Sequence, residues 1–127
     1  MSADFKGLDR IGQIAINVHD LARAVTFYRE TLGIPFLFEV PGMAFFDCNG
    51  VRLMLGIPVR PEFDHLASIL YYKVDNIEAA HEALASRGVS FTAKPHVVAR
   101  MPAFTLWLAE FSDSEGNLLA LMSEVPV

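Results

Sequence analysis

Between residues 13 and 18 the chain alternates. Ile14, Ile16 and Val18 fall on one face of an extended segment, and Gln13, Ala15 and Asn17 on the other, the period-two signature of a half-buried strand. Asp20 then offers an N-cap. Leu21, Ala24, Val25, Tyr28 and Leu32 recur at helical spacing up to Gly33, which is placed to end the helix as a C′ glycine. Three strands follow in quick succession: Ile34–Val40, a Pro41-Gly42 turn, Met43–Cys48, an Asn49-Gly50 turn, and Val51–Leu55. Asn-Gly between two apolar runs is a strong hairpin signal.

The second half repeats this order. Ile69–Val74 reads as a strand, and Asn76 as a cap. Ile77, Ala80 and Leu84 form a helical stripe, and Gly88 is its stop. Val89–Ala93 and Phe104–Phe111 read as strands, and a Ser-Glu-Gly-Asn turn at 114–117 leads into Leu118–Met122. Val18 lies on Val74, Asp20 on Asn76, Leu21 on Ile77, Ala24 on Ala80, Gly33 on Gly88, Gly50 on Gly116 and Met54 on Ala120. The segment Lys94–Ala103 is left over as an insertion in the second unit. Agreement of caps, turns and stripes is the mark of an internal repeat. The chain is therefore read as α+β, a single domain over residues 1–127 made of two tandem β-α-β-β-β units, about 8–57 and 66–124.

The stretch GQIAINVHDLARAVTFYRETLGI and the later DSEGNLLAL resemble the first and last parts of a vicinal oxygen chelate protein, the superfamily of glyoxalases, bleomycin-resistance proteins and extradiol dioxygenases. The likeness runs from about Leu8 to Met122. It implies a curved, open sheet around a cavity with helices outside, and a homodimer. It also implies four ligand positions in those members that bind a metal. Carried onto this chain, these positions fall on Gln13, Met54, Ile69 and Ala120. Ile and Ala have no donor atom, a thioether suits Cu(I), and one amide is a weak ligand for a divalent ion. No metal is expected at the family positions, and glyoxalase-type isomerisation or ring-cleaving oxygenation would lack its Lewis acid.

Alternation extends the cavity face. Gln13 brings Ala15 and Asn17 with it, Met54 brings Arg52, Ile69 brings Tyr71 and Lys73, and Ala120 brings Leu118 and Met122. On the seventh strand Trp107, Ala109 and Phe111 compete with Leu106, Leu108 and Glu110 for the buried side; the family pattern turns Glu110 inward. A carboxylate there would be a candidate general acid or base, or else a partner for Arg52 or Lys73. The lining as a whole (Gln13, Asn17, Arg52, Met54, Ile69, Tyr71, Glu110, Ala120, Met122) is apolar with a few polar points, as small-molecule sites are. His96, Arg100 and Met101 lie in the insertion, which is either a lid, a dimer contact or a surface loop. His19 and His81 read as solvated. A metal set of His65, His96 and Glu110 has no spacing to support it.

Composition narrows the partners. Net charge is -5 with 10 Lys and Arg against 15 Asp and Glu, and no basic run appears, so nucleic acid is not an expected partner. The single cysteine, Cys48, allows no disulfide within the chain, and its reading is an inert buried thiol. No apolar stretch approaches the ~20 residues of a membrane span, and the expected compartment is the cytoplasm. Two functions stand ahead of a third, a non-catalytic module with a vestigial cavity whose dimer surface is its product. One is a metal-free protein that holds a partly apolar small molecule. The other is a lyase or isomerase of the glyoxalase or epimerase kind, with a divalent metal at an off-pattern site or Glu110 as base.

Overall fold

The computed structural model describes residues 5–127. Strand β1 (Gln13–Asn17) leads to helix α1 (Leu21–Thr26), which widens into a π-helical turn over Phe27–Thr31. Strands β2 (Phe36–Val40), β3 (Met43–Cys48) and β4 (Val51–Gly56) complete the first unit. A connection carrying a short 3-10 turn at Pro61–Phe63 leads to β5 (Leu70–Lys73) and α2 (Ile77–Ser86). The second unit ends with β6 (His96–Arg100), β7 (Phe104–Ser112) and β8 (Leu118–Pro126).

Each unit forms one mixed four-stranded sheet, in the order β1-β4-β3-β2 and β5-β8-β7-β6. The first pair of each is parallel and the rest antiparallel. The curved open sheet implied by the resemblance thus consists of two ladders, neither closed into a barrel. Among the described residues no helix is long and apolar enough to cross a membrane.

The repeat holds at the level of single hydrogen bonds. Asp20 Oδ1 accepts from Arg23 N at 3.1 Å, and Asn76 Oδ1 accepts from Ala79 N at 3.0 Å, so both helices are capped in the same way. Gly33 and Gly88 stop the helical segments with φ of 75° and 90°. At the Asn49-Gly50 turn both residues have positive φ, 51° and 97°, the type I′ geometry that suits the twist of a hairpin. Cys48 then pairs with Val51, and that register runs back along the ladder to Phe45 opposite Met54.

One core spans both units. Ile16, Phe46, Leu53 and Leu55 from the first sheet join Ala109, Phe111, Leu119 and Leu121 from the second, covered by Ala24, Tyr28 and Ile77 of the helical segments. All of these sit on one face of each sheet. The residues between them in sequence point to the opposite, open face, which neither α1 nor α2 covers.

The second unit departs from expectation at its sixth strand. Val89–Ala93 is not a strand; it makes a single bridge, Phe91 to Phe111. Its apolar residues serve burial: Val89 is in the core, and Phe91 packs on His81 and Phe111. The sixth strand is His96–Arg100, inside the presumed insertion, and it pairs with β7 from His96↔Leu108 to Arg100↔Thr105. The extra length of the second unit is therefore divided: residues 89–95 separate Gly88 from β6 where only 34–35 separate Gly33 from β2, and β7 has 9 residues against 6 in β3. His96 and Arg100 belong to an edge strand, and Met101 starts the turn into β7, its N–H donating to Phe104 O at 2.8 Å. An edge strand and its turn thus stand where an insertion loop was expected.

Candidate functional site

Register decides which side chains share the open face. On the first sheet Gln13 lies beside Arg52, Ala15 beside Met54 and Asn17 beside Gly56. Across the hairpin Asp47 faces Arg52, Phe45 faces Met54 and Met43 faces Gly56. Phe38 faces Phe45, and the two rings stack with centroids 4.6 Å apart. Three rows of side chains result, spaced by two residues, or roughly 7 Å, along the strands.

A cavity of about 350 Å³ opens over the last two rows. Its floor is Ala15, Asn17, Met43, Met54 and Gly56; its roof is Ile57, Pro58, Val59, Phe63 and His65 of the connection between the units. Gly56 keeps the floor low, because a Cβ there would stand 3.4 Å from the Met54 methyl and 3.8 Å from Met43 Cγ. The volume is at the small end of the range for small-molecule sites.

The roof is pinned from below. Asn17 Nδ2 donates to the carbonyl oxygens of Phe63 and of His65, the latter at 3.0 Å. His19 Nε2 lies 3.0 Å from Asp64 Oδ1 at the rim, and the Arg60 guanidinium sits 4.9 Å over the Phe63 ring. Asn17 was expected to present its amide to a ligand; instead the amide nitrogen is committed to the connection. His19 was expected to be solvated, and it is exposed, but it holds Asp64.

The row beside the cavity is polar and preset. Gln13 Oε1 accepts from Arg52 Nε at 2.9 Å, and Gln13 Nε2 points at Met54 Sδ, 3.9 Å away. The guanidinium stands 5.8 Å from the Phe45 ring centroid. Among the described residues no carboxylate lies within 4.0 Å of Arg52. Asp47, directly opposite, spends Oδ1 on the Gly50 N–H at 2.9 Å.

On the second sheet the parity of β7 resolves in favour of Glu110. Ala109 and Phe111 are fully buried in the core, so Glu110 is on the open face, paired with Ala120. Tyr71 and Met122 share that face through Tyr71↔Ala120 and Leu108↔Met122, with Ile69 just ahead of β5. Ile69 and Tyr71 are 41% and 50% exposed, whereas Ala120 is fully buried. Neither Arg52 nor Lys73 is the partner of Glu110. Lys73 pairs with Glu124 at 2.9 Å, and Glu110 Oε1 lies 3.9 Å from His96 Nε2. His96 Nδ1 faces the Lys94 carbonyl at 3.0 Å. A carbonyl only accepts, so Nδ1 is the donor in this contact, and Nε2 is the ring atom turned towards Glu110. His65 is elsewhere, in the cavity roof, so the set His65, His96 and Glu110 is not assembled.

Of the four family ligand positions, Gln13 and Met54 meet. They supply an amide and a thioether; Ile69 and Ala120 supply nothing. This donor set does not fit a divalent ion, and among the described residues no three His, Cys, Asp or Glu side chains gather elsewhere. Cys48 is half-buried, with burial as the main cause and Asp47 as a lesser one pushing its thiol pKa up. That is the opposite of what a nucleophilic thiol needs.

Two parts of the site were missed in the sequence. The roof had a signal: residues 57–69 are a long connection with two prolines and the apolar Ile57, Val59, Phe63 and Leu66, and such lengths are uncommon without a role. Phe45 and Met43 also had one, since a two-residue Asn-Gly hairpin dictates their register against Met54 and Gly56.

Solved structures with this architecture are numerous. A member of the glyoxalase/bleomycin resistance protein/dioxygenase superfamily from Sphaerobacter thermophilus DSM 20745 is 28% identical, with a TM-score of 0.73 over 92% of this chain and 98% of that one. TnmS3, an antibiotic binding protein from Streptomyces sp. CB03234, is 23% identical, with a TM-score of 0.74 over 94% and 99%. A lactoylglutathione lyase from Agrobacterium tumefaciens is 20% identical, with a TM-score of 0.75 over 93% and 96%. No curated protein gives a significant sequence match. The family model described as Glyoxalase/Bleomycin resistance protein/Dioxygenase superfamily matches residues 10–121, and the chain belongs to that superfamily.

Proposed function

We propose that the protein binds a small, partly apolar molecule in the roofed cavity of the first sheet, without a metal at the family positions. The cavity itself carries this reading: apolar floor and roof, a pinned connection above, and one ordered polar row at its side. The structural likeness to an antibiotic binding protein is in keeping with it. Thermal shift across a library of aromatic and apolar compounds tests it, because a ligand that binds only the folded state raises its stability. Stabilisers should appear and should lose their effect in Gly56→Val, which fills the floor at a backbone conformation open to any residue. A library without a single stabiliser would defeat the proposal.

A lyase or isomerase reading rests on a different observation, the His96–Glu110 pair on the second sheet. An imidazole whose Nε2 faces a carboxylate is placed to exchange a proton with a substrate between them. Glu110→Gln should then abolish turnover of any substrate found, and metal analysis of the purified protein decides the off-pattern metal directly. A homodimer is proposed as well. Phe38, Val40, Ile69, Tyr71 and Leu118 are exposed apolar residues of the open faces, the kind of surface a second copy covers. Light scattering on purified protein gives the mass.

A further inference from the structure

From the Gln13–Arg52–Phe45 group we infer that the cavity's ligand is a planar aromatic acid, its ring over Met54 and against the edge of Phe45 and its carboxylate on Arg52. The inference rests on the cavity being the binding site and adds the chemical class of the ligand.

Three features of the polar row point the same way. First, Arg52 is a cation oriented in advance. Gln13 takes its Nε–H at 2.9 Å, which leaves the two Nη groups as a free fork. A guanidinium fork matches a carboxylate with two parallel hydrogen bonds. Second, its charge is unanswered. No Asp or Glu among the described residues reaches it, although the chain holds 15 acidic residues against 10 basic ones, and the nearest across the ladder, Asp47, is turned to Gly50. Third, the adjoining surface is aromatic. Phe45 carries Phe38 stacked on one side and the guanidinium on another, and Met54 lies beside it in the same row. Thioether and ring edge both favour contact with an aromatic ligand.

Distance fits these parts to one molecule. Arg52 and Met54 are two residues apart on β4, so a carboxylate on the first and a ring over the second are separated by about 7 Å. This is the span from the acid group to the outer edge of the second ring in a fused two-ring acid. Beyond Met54 the molecule meets the cavity under Pro58 and Phe63. The wall offers no other cation: apart from the His65 imidazole it consists of uncharged side chains.

The test uses 2-naphthoate and its neutral counterpart 2-naphthamide, titrated calorimetrically into the full chain at low salt. The wild type should prefer the carboxylate at least tenfold, and the preference should shrink as salt rises. Arg52→Met should bring 2-naphthoate down to the affinity of the amide and leave the amide within twofold of its wild-type value. Gly56→Val should weaken both probes together. Equal binding of both probes by the wild type, or a carboxylate preference that survives in Arg52→Met, overturns the inference while the cavity remains a binding site. Failure of both probes to bind also overturns it, and the library screen then judges the cavity separately. Circular dichroism of each variant confirms that it is folded, and Gln13→Leu provides a second route: it frees the guanidinium, leaves every lining residue of the cavity in place and should reduce the carboxylate preference.

Discussion

Replacing Glu115 by Gln removes one charge from the joint between the two units. Glu115 sits in the turn between β7 and β8, its side chain only 4% exposed. Arg23 of α1 grips it with Nε to Oε2 at 2.7 Å and Nη2 to Oε1 at 3.1 Å. Ser114 Oγ donates at 2.8 Å and the Asp20 N–H at 3.3 Å. Led by the Arg23 hydrogen bonds and opposed by burial, these contacts hold the Glu115 carboxyl at a pKa of about 2, from an ordinary 4.5. At about 1.36 kcal/mol per unit, the depression corresponds to on the order of 3 kcal/mol of folding stability. Arg23 is itself more than half exposed, so solvent screening reduces this to roughly 2 kcal/mol. The folded pKa is the lower one, so the contribution is complete above about pH 4.5 and is lost as pH falls towards 2. Glu115→Gln keeps the shape, loses the charge and turns an N–H towards the guanidinium. Urea unfolding at pH 7, 5, 4 and 3 should show the variant about 2 kcal/mol less stable at pH 7, with the gap narrowing through pH 4 and 3. A gap that is constant across this range, or absent at pH 7, refutes the assignment of the stability to the ionised carboxylate.

Other substitutions probe other joints. Tyr28→Phe removes the 2.6 Å hydrogen bond to Asp113 Oδ2 and leaves a buried carboxylate short of a donor; chemical denaturation should report a loss of about 1–3 kcal/mol with ligand binding unchanged. Asn17→Ala releases the connection over the cavity, so amide exchange should accelerate within residues 58–66 while the core strands keep their protection. Gly50→Ala puts a Cβ at a φ of 97° and should cost about 1–2 kcal/mol in urea melts, with the hairpin register retained.

Much of this fold can be read in advance because the chain states its plan twice. Asp20 and Asn76 are different residues in the same capping role, and Gly33 and Gly88 stop both helices, so each half corroborates the other. The one misplaced strand lacked that support. Val89–Ala93 is apolar because it packs under α2, and local pattern cannot tell packing from pairing in a five-residue run. His96–Arg100 carries two charged or titratable ends and looked like loop, yet as an edge strand it needs only one buried side. The candidate site was half legible. Gln13 and Met54 follow from the family resemblance and Arg52 from alternation with Met54, whereas the roof depends on where a proline-bearing connection folds back. The commitment of Asn17 to that connection is a tertiary fact with no local trace.

The open faces of the two sheets carry different residues at equivalent places, while both helices keep the same kind of cap and a glycine stop. Ladder register sets Phe45 opposite Met54 in one unit and Glu110 opposite Ala120 in the other. Equivalent places thus hold an aromatic–thioether floor on one side and a carboxylate on the other. The shared core and the Arg23–Glu115 and Tyr28–Asp113 joints all lie away from these rows, so folding places few demands on them. A duplicated domain built in this way has one half-surface to keep and another to vary. Side chains such as Arg52 and Phe45 are then open to selection for new ligands, and a change of specificity need not pass through an unfolded intermediate sequence.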